Sequence, residues 1–361
     1  MDFREMSREK KIQKYILDRE KKGDYPGIQY VAVSQESLLL DFSAGSADRK
    51  AGRIVESKTT MMAYSMTKTF TAAAILQLVD EGKISLDDPV SNYLEYNPFG
   101  KELTIRHLLS QTSGIPNPIP LKWVHLAEGS GEFHEKTELL RILADNPSLE
   151  FKPGKKYSYS NLSYWLLGMI IERVSGVTYR EYMQKNIFQR LRLTSTEIDF
   201  IIPDYSLHAK GYLKRFSMLN LLKSFLIDPQ YIGENEKGWV SFKNHYLNGP
   251  AFGGIVTSAK AISVFLQDQL REESVLFSTK AKRLFFEQQK NNAGDPIEMS
   301  LGWHIRELDG IRYFYKEGGG GGFHSEMRIY PSKKLATVVI VNNTTFATNK
   351  FLDDVDGELL K

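Results

Sequence analysis

Strand-like runs lie at both ends of this 361-residue chain, and a long stretch of mainly helical pattern separates them. Near the start, Ile28–Ser34 and Leu38–Gly45 are β-rich and read as a hairpin. Near the end, Ile311–Lys316, Phe323–Tyr330 and Leu335–Asn342 are three further strand-like runs. Helical spacing is found in Thr69–Asp80, Ile105–Ser110, Thr137–Ala144, Tyr164–Val174 and Tyr179–Leu191, with breaks at Gly114–Pro120 and Pro153–Gly154. A charged helix bearing Phe3, Met6, Ile12, Tyr15 and Ile16 and ending at Gly23 precedes the first strands, and a helix over Phe346–Leu360 closes the chain. The expectation is an α+β fold: an antiparallel sheet built from both termini and flanked by helices, with a mainly helical lobe inserted. A cleft forms where sheet meets helices. The chain reads as a single domain over 1–361, with an α/β lobe at about 1–62 plus 298–361 and a helical lobe at about 63–297.

Composition excludes several function classes. At 42% hydrophobic residues there is enough apolar surface for a sizeable core. A net charge of +3 gives no electrostatic case for nucleic acid. The absence of cysteine removes disulfides, thiolate catalysis and cysteine-type zinc sites. The seven histidines show no ligand spacing and read as structural, so no metal and no cofactor is expected; His324, beside a run of glycines, is the one that could edge a site. No apolar run is long enough to span a bilayer, and the charged first residues lack the apolar core of an export signal. A cytoplasmic location is therefore expected of the chain as it stands, or a periplasmic or extracellular one if a signal has been removed. The oligomeric state is not readable.

Ser65-Met66-Thr67-Lys68 has the form S-x-x-K. On a helix, residues three apart share a face, so the Lys68 amine can reach the Ser65 hydroxyl. A helix N-terminus supplies backbone N–H groups suited to a developing oxyanion, and a desolvated lysine can act as a base. Spacing alone is weak, because Ser7-Arg8-Glu9-Lys10 has the same form within a charged surface helix. Ser65 differs in lying between the extended run Thr59–Met62 and an apolar helix; taken alone, it is equally an N-cap serine followed by a solvated lysine. Two further segments shift that balance: Tyr159-Ser160-Asn161, of the form Y-x-N, ahead of an apolar helix, and Lys316-Glu317-Gly318 ahead of the glycine run. Tyr159 could otherwise simply pack a loop, and Asn161 could cap the helix that follows.

Together these segments resemble the superfamily of penicillin-binding proteins and class C β-lactamases, which also holds serine esterases and D-aminopeptidases. The similarity runs from about Ile28 to Asn343 and includes Leu103–Pro116, Gly82–Val90, Ala251–Phe265, Leu301-Gly302-Trp303 and Gly318–Pro331 in the family's order. The resemblance implies Ser65 as the acylated nucleophile, and Lys68 as its proton acceptor or the electrostatic partner of Tyr159. It implies Tyr159 as general base and as acid to the leaving group, and Asn161 as the residue that positions Lys68 and substrate. Lys316 and Gly318 match the third motif, and the N–H groups of Ser65 and Gly319 would form the oxyanion hole. The substrate would be a small ester, amide or peptide, with carboxylester hydrolysis leading, β-lactam or D-amino-acid peptide hydrolysis as alternatives, and a silent scaffold as a remote one.

The third motif departs from the K-T-G of β-lactamases by carrying Glu317. An ionised glutamate cannot donate a hydrogen bond to a substrate carboxylate and repels it, which disfavours penicillins and tolerates a neutral or cationic group. Alternatively Glu317 faces outward and pairs with a surface lysine. Gly318–Gly322 lie between two strands, which is no place for a nucleotide loop, and allow close backbone approach. Tyr212–Ile232 is the most apolar long insertion, either core or a lid that favours lipophilic groups.

Overall fold

The computed structural model describes residues 6–118, 123–128, 134–217 and 227–361. Helix α1 (Arg8–Lys21) is capped by Ser7 and leads into strands β1 (Gly27–Ser34), β2 (Leu38–Asp48) and the short β3 (Arg53–Ile54). Two long helices follow, α2 (Thr67–Asp80) and α3 (Asn161–Ser175), and later α4 (Ala259–Leu270). Strands β4 (His304–Leu308), β5 (Ile311–Gly319), β6 (His324–Tyr330) and β7 (Leu335–Val341) precede the closing helix α5 (Thr348–Leu360). The sheet order is β4-β5-β6-β7-β1-β2-β3, antiparallel throughout, with Val31 opposite Val338 joining the two ends of the chain. The α+β fold expected from the sequence is therefore the fold observed; the described N-terminal helix begins at Arg8, and Phe3 lies outside the described residues.

Strand β7 shows why the sheet sits where it does. All seven of its residues are buried, and alternate side chains serve opposite faces. Val339 and Val341 pack with Ile12, Ile16, Phe351 and Leu352 of α1 and α5, while Val338 and Ile340 join the larger core that holds Ile262, Phe265 and Leu266 of α4. Each such large side chain contributes about 1.5–3 kcal/mol when fully buried. Helix α2 crosses that larger core and is buried on every side from Thr67 to Leu78. A helix of this kind is fixed in position, so a residue in its first turn is held to the accuracy of the core itself.

Several elements were not foreseen. Strands β3 and β4 were missed, and the stretch read as helical also contains short strands, among them Val124–Leu126, Trp239–Phe242 and His245–Leu247. His125 is in the first of these. The segment Tyr179–Leu191 is α-helical only to Met183 and then winds as a π-helix over Gln184–Phe188. Of the expected lid, Tyr212–Lys214 is a strand and Pro229–Tyr231 a 3₁₀ turn; its most apolar part, 218–226, lies outside the described residues. Among the described residues, no helix is long and apolar enough to cross a membrane.

Candidate active site

The chain enters the site from Met61–Met62, which pairs with Val256–Thr257. It turns at Tyr64, whose φ of +45° is rare for a residue with a side chain and costs roughly 1–2 kcal/mol. That turn is held by tertiary contacts: the Tyr64 hydroxyl donates to Gly321 O at 2.7 Å and lies 3.1 Å from His245 Nε2. Tyr64–Met66 form a 3₁₀ turn that runs into α2, so Ser65 stands just before the α-helix and Lys68 in its first turn.

The Ser65 hydroxyl lies 2.7 Å from the Tyr159 phenol and 3.0 Å from Lys68 Nζ. The same amine is 2.7 Å from Asn161 Oδ1 and 2.7 Å from Phe252 O, and Lys68 is wholly buried. Both of those carbonyls can only accept hydrogen bonds. A neutral amine therefore gives its two N–H groups to them and turns its lone pair to Ser65, its longest contact. Burial first, and then the nearby Lys316, hold the Lys68 amine well below the ordinary lysine range. Burial pushes the Tyr159 phenol up, which keeps it protonated at neutral pH.

Tyr159 and Asn161 are delivered by a clamped loop. Gln111 accepts from Ser160 N–H at 2.6 Å through Oε1 and donates to Ser160 O at 3.1 Å through Nε2. Asn117 Oδ1 accepts from the Asn161 backbone N–H at 3.0 Å and from its Nδ2 at 3.2 Å. This fixes the Asn161 amide with its oxygen toward Lys68. Ser160, not Asn161, is the N-cap of α3, so the capping role considered for Asn161 does not hold.

Strand β5 brings the third motif alongside. A Cβ on Gly318 would sit 2.1 Å from Ala63 O and 3.0 Å from Ser65 N, so this glycine lets the strand touch the turn that carries Ser65. A Cβ on Gly320 would strike the Tyr64 ring at 2.5 Å. Ser65 and Gly319 both line two adjoining spaces. One is a cleft of about 830 Å³ reached by Tyr157, Tyr159, Glu317 and His324. The other is a smaller pocket of about 220 Å³ walled by Tyr64, Phe242, Leu247 and Phe252. Glu317 does not pair with a surface lysine: His324 Nε2 lies 2.7 Å from its Oε1, and that contact above all lowers its carboxyl below the usual range. His324 therefore edges the cleft, as its place beside the glycines suggested.

A family model described as Beta-lactamase matches residues 12–359. The chain belongs to this family of serine hydrolases. It is 32% identical to Protein flp of Staphylococcus aureus (strain N315) over 193 residues, 52% of this chain and 38% of that protein. It is 26% identical to Penicillin-binding protein 4* of Bacillus subtilis (strain 168) over 318 residues, 87% of this chain and 67% of that protein. The alignment thus spans well under half the length of flp. Among solved structures, the D-amino acid amidase from Ochrobactrum anthropi SV3 superimposes with a TM-score of 0.82 at 18% identity, covering 98% of this chain and 99% of that one. The octameric penicillin-binding protein homologue from Pyrococcus abyssi gives 0.78 at 24% identity, covering 97% and 77%. These two likenesses establish the fold.

Within this β-lactamase-family site, sequence reasoning missed Tyr64, Gln111, Asn117 and Phe252, and it read His245 and His304 as purely structural although both line the spaces beside Ser65. Gln111 and Phe252 lay within segments already matched to the family, and Tyr64 and Asn117 each adjoin one. Lys316 is wholly buried, and its Nζ has no hydrogen-bond partner among the described residues; it faces the Tyr159 ring at 5.3 Å. Burial lowers its amine to about 7. Between that value and the unfolded lysine range the unfolded chain binds more protons, so this group's contribution to stability rises with pH. Lys316→Met should raise stability at pH 7 by about 1–3 kcal/mol, because it removes an unpartnered buried polar group, and should lower activity. The urea midpoint and the turnover rate check both halves.

Proposed function

We propose that this β-lactamase-family protein is an acyl-enzyme hydrolase of short apolar carboxylesters, with Ser65 as nucleophile. The observation that carries the reading is the Lys68 amine, with two carbonyl acceptors on one side and Ser65 Oγ on the other. In this scheme Ser65 Oγ bonds to the carbonyl carbon as its proton passes to Lys68. The N–H groups of Ser65 and Gly319 hold the oxyanion, worth about 3 kcal/mol for each donor. The acyl–oxygen bond breaks as Tyr159 protonates the leaving alcohol, and Lys68 returns the proton to Tyr159. Water then hydrolyses the acyl-enzyme with the same groups in reverse. Asn161 and Asn117 position Lys68, and the whole chain acts as one domain.

Glu317 supports an ester over a penicillin, since its charge lies where β-lactamases carry a hydroxyl that receives the substrate carboxylate. The 220 Å³ pocket supports an apolar acyl group. An amide with the same acyl group would use the same residues. With p-nitrophenyl esters, kcat/KM should rise about fourfold per methylene until the pocket is full, matching about 0.8 kcal/mol for each one buried. Nitrocefin should turn over poorly, and Ser65→Ala should abolish ester hydrolysis. Brisk nitrocefin turnover with weak ester turnover would put the β-lactamase reading first.

A further inference from the structure

The two spaces beside Ser65 are not equivalent with respect to the proton donor. Tyr159 lines the 830 Å³ cleft and is not among the residues that wall the 220 Å³ pocket, whereas Ser65 and Gly319 reach both. A leaving group must depart toward the acid that protonates it. The scheme above, on which this inference rests, therefore sends the leaving alcohol or amine into the large cleft and keeps the acyl group in the small apolar pocket.

The cleft has a definite electrostatic character. Glu317 stands on β5 between Lys316 and Gly318, with its side chain 46% exposed and bonded on one side to His324. It is near enough to the reaction centre for its charge to help raise the Tyr159 phenol. Glu298 adds a second carboxylate to the lining. Tyr157, a residue 40% exposed, offers an aromatic surface in the same space. The cations nearest Ser65 are withdrawn: Lys68 and Lys316 are wholly buried, and both amines are held below the ordinary lysine range. Arg306 also lines the cleft, with its guanidinium stacked over Tyr315 at 4.6 Å, and His324 carries a positive charge there only when protonated. An anionic leaving group meets an ionised carboxylate here, and a cationic one meets that carboxylate and an aromatic face.

We propose that the large cleft selects substrates whose leaving group carries an organic cation, so that the preferred class is short apolar acyl esters of amino alcohols, or the corresponding amides of diamines, with Glu317 as the residue that selects them. The bonds made and broken are those of the scheme above; the cation changes only which alcohol or amine departs.

An isosteric pair isolates the charge. Butyrylcholine and 3,3-dimethylbutyl butyrate differ by a trimethylammonium group against a tert-butyl group. The ratio of their kcat/KM values should be on the order of tenfold in favour of the choline ester at low ionic strength. It should fall toward one in Glu317→Gln and invert in Glu317→Lys. A wild-type ratio at or below one, or a preference that survives Glu317→Gln, would overturn the proposal. A second readout needs no turnover. Choline should slow the labelling of Ser65 by a fluorophosphonate more than 3,3-dimethylbutanol does at equal concentration, and equal protection would overturn the cation preference while leaving the hydrolase reading intact. No labelling of Ser65 at all would overturn that reading, and this inference with it.

Discussion

Lys68→Met should lower the rate of Ser65 acylation by about 10³-fold. Methionine keeps the length of the buried side chain and removes the amine, so the loss reports on proton transfer more than on packing. Part of the cost is structural, since Asn161 Oδ1 and Phe252 O lose a shared donor, at about 1–3 kcal/mol for each buried acceptor left unpaired. Two companion results separate these effects. Lys68→Arg should fail to rescue, because a guanidinium stays protonated at any working pH. In the wild type, the proton-accepting form is the neutral amine, present above the lowered value of Lys68 and lost below it. Activity should therefore rise as pH increases through that value, and the acid limb of the kcat/KM profile should be missing from the residual activity of Lys68→Met. If Lys68→Met retained both the rate and the acid limb, Lys68 would be neither the proton acceptor nor a charge that the reaction needs.

Gly318→Ala is expected to cost about 10²–10³-fold in kcat. The added methyl group would meet the Ala63 carbonyl at 2.1 Å, and neither the strand that carries the one nor the turn that carries the other is free to give way. Ala63 N–H donates to Ile255 O at 2.9 Å, and Ala63 O accepts from Ser325 Oγ at 3.0 Å. Strand and turn must therefore separate, which pulls the Ser65 and Gly319 N–H groups out of register with each other. The effect should appear in kcat, since the oxyanion forms only as the reaction proceeds. Urea unfolding of the same variant tells whether the chain is still folded; a folded Gly318→Ala with unchanged kcat would remove Gly319 from the proposed oxyanion hole.

The central strands were legible because their side chains alternate between two cores, as Val338 to Val341 do. The edges were not: β4 carries Arg306 and Glu307 toward solvent, and β3 is two residues long, so neither repeats an apolar pattern. Helix α2 was read as starting at Thr69 and begins at Thr67. Threonine is a poor helix former, and here tertiary bonds override that preference: Thr69 Oγ1 donates to Gly302 O at 2.9 Å and Thr71 Oγ1 to Ala251 O at 2.6 Å. At the site, Ser65 and Lys68 were readable because three residues on a helix fix their separation. Tyr64 and His245 were not, because what they do depends on partners 257 and 181 residues away that only the folded chain brings near. The apolar pocket was hidden for the same reason, as its walls come from Tyr64, Phe242, Leu247 and Phe252.

The proposal that Ser65 carries the acyl group is tested most directly by trapping the intermediate. Wild-type protein mixed with p-nitrophenyl butyrate, quenched in acid within the first turnovers and mapped by mass spectrometry, should show one butyryl group on the peptide containing Ser65. Ser65→Ala should show neither the adduct nor turnover. Turnover that persists in Ser65→Ala, or an adduct on another residue, would contradict the account.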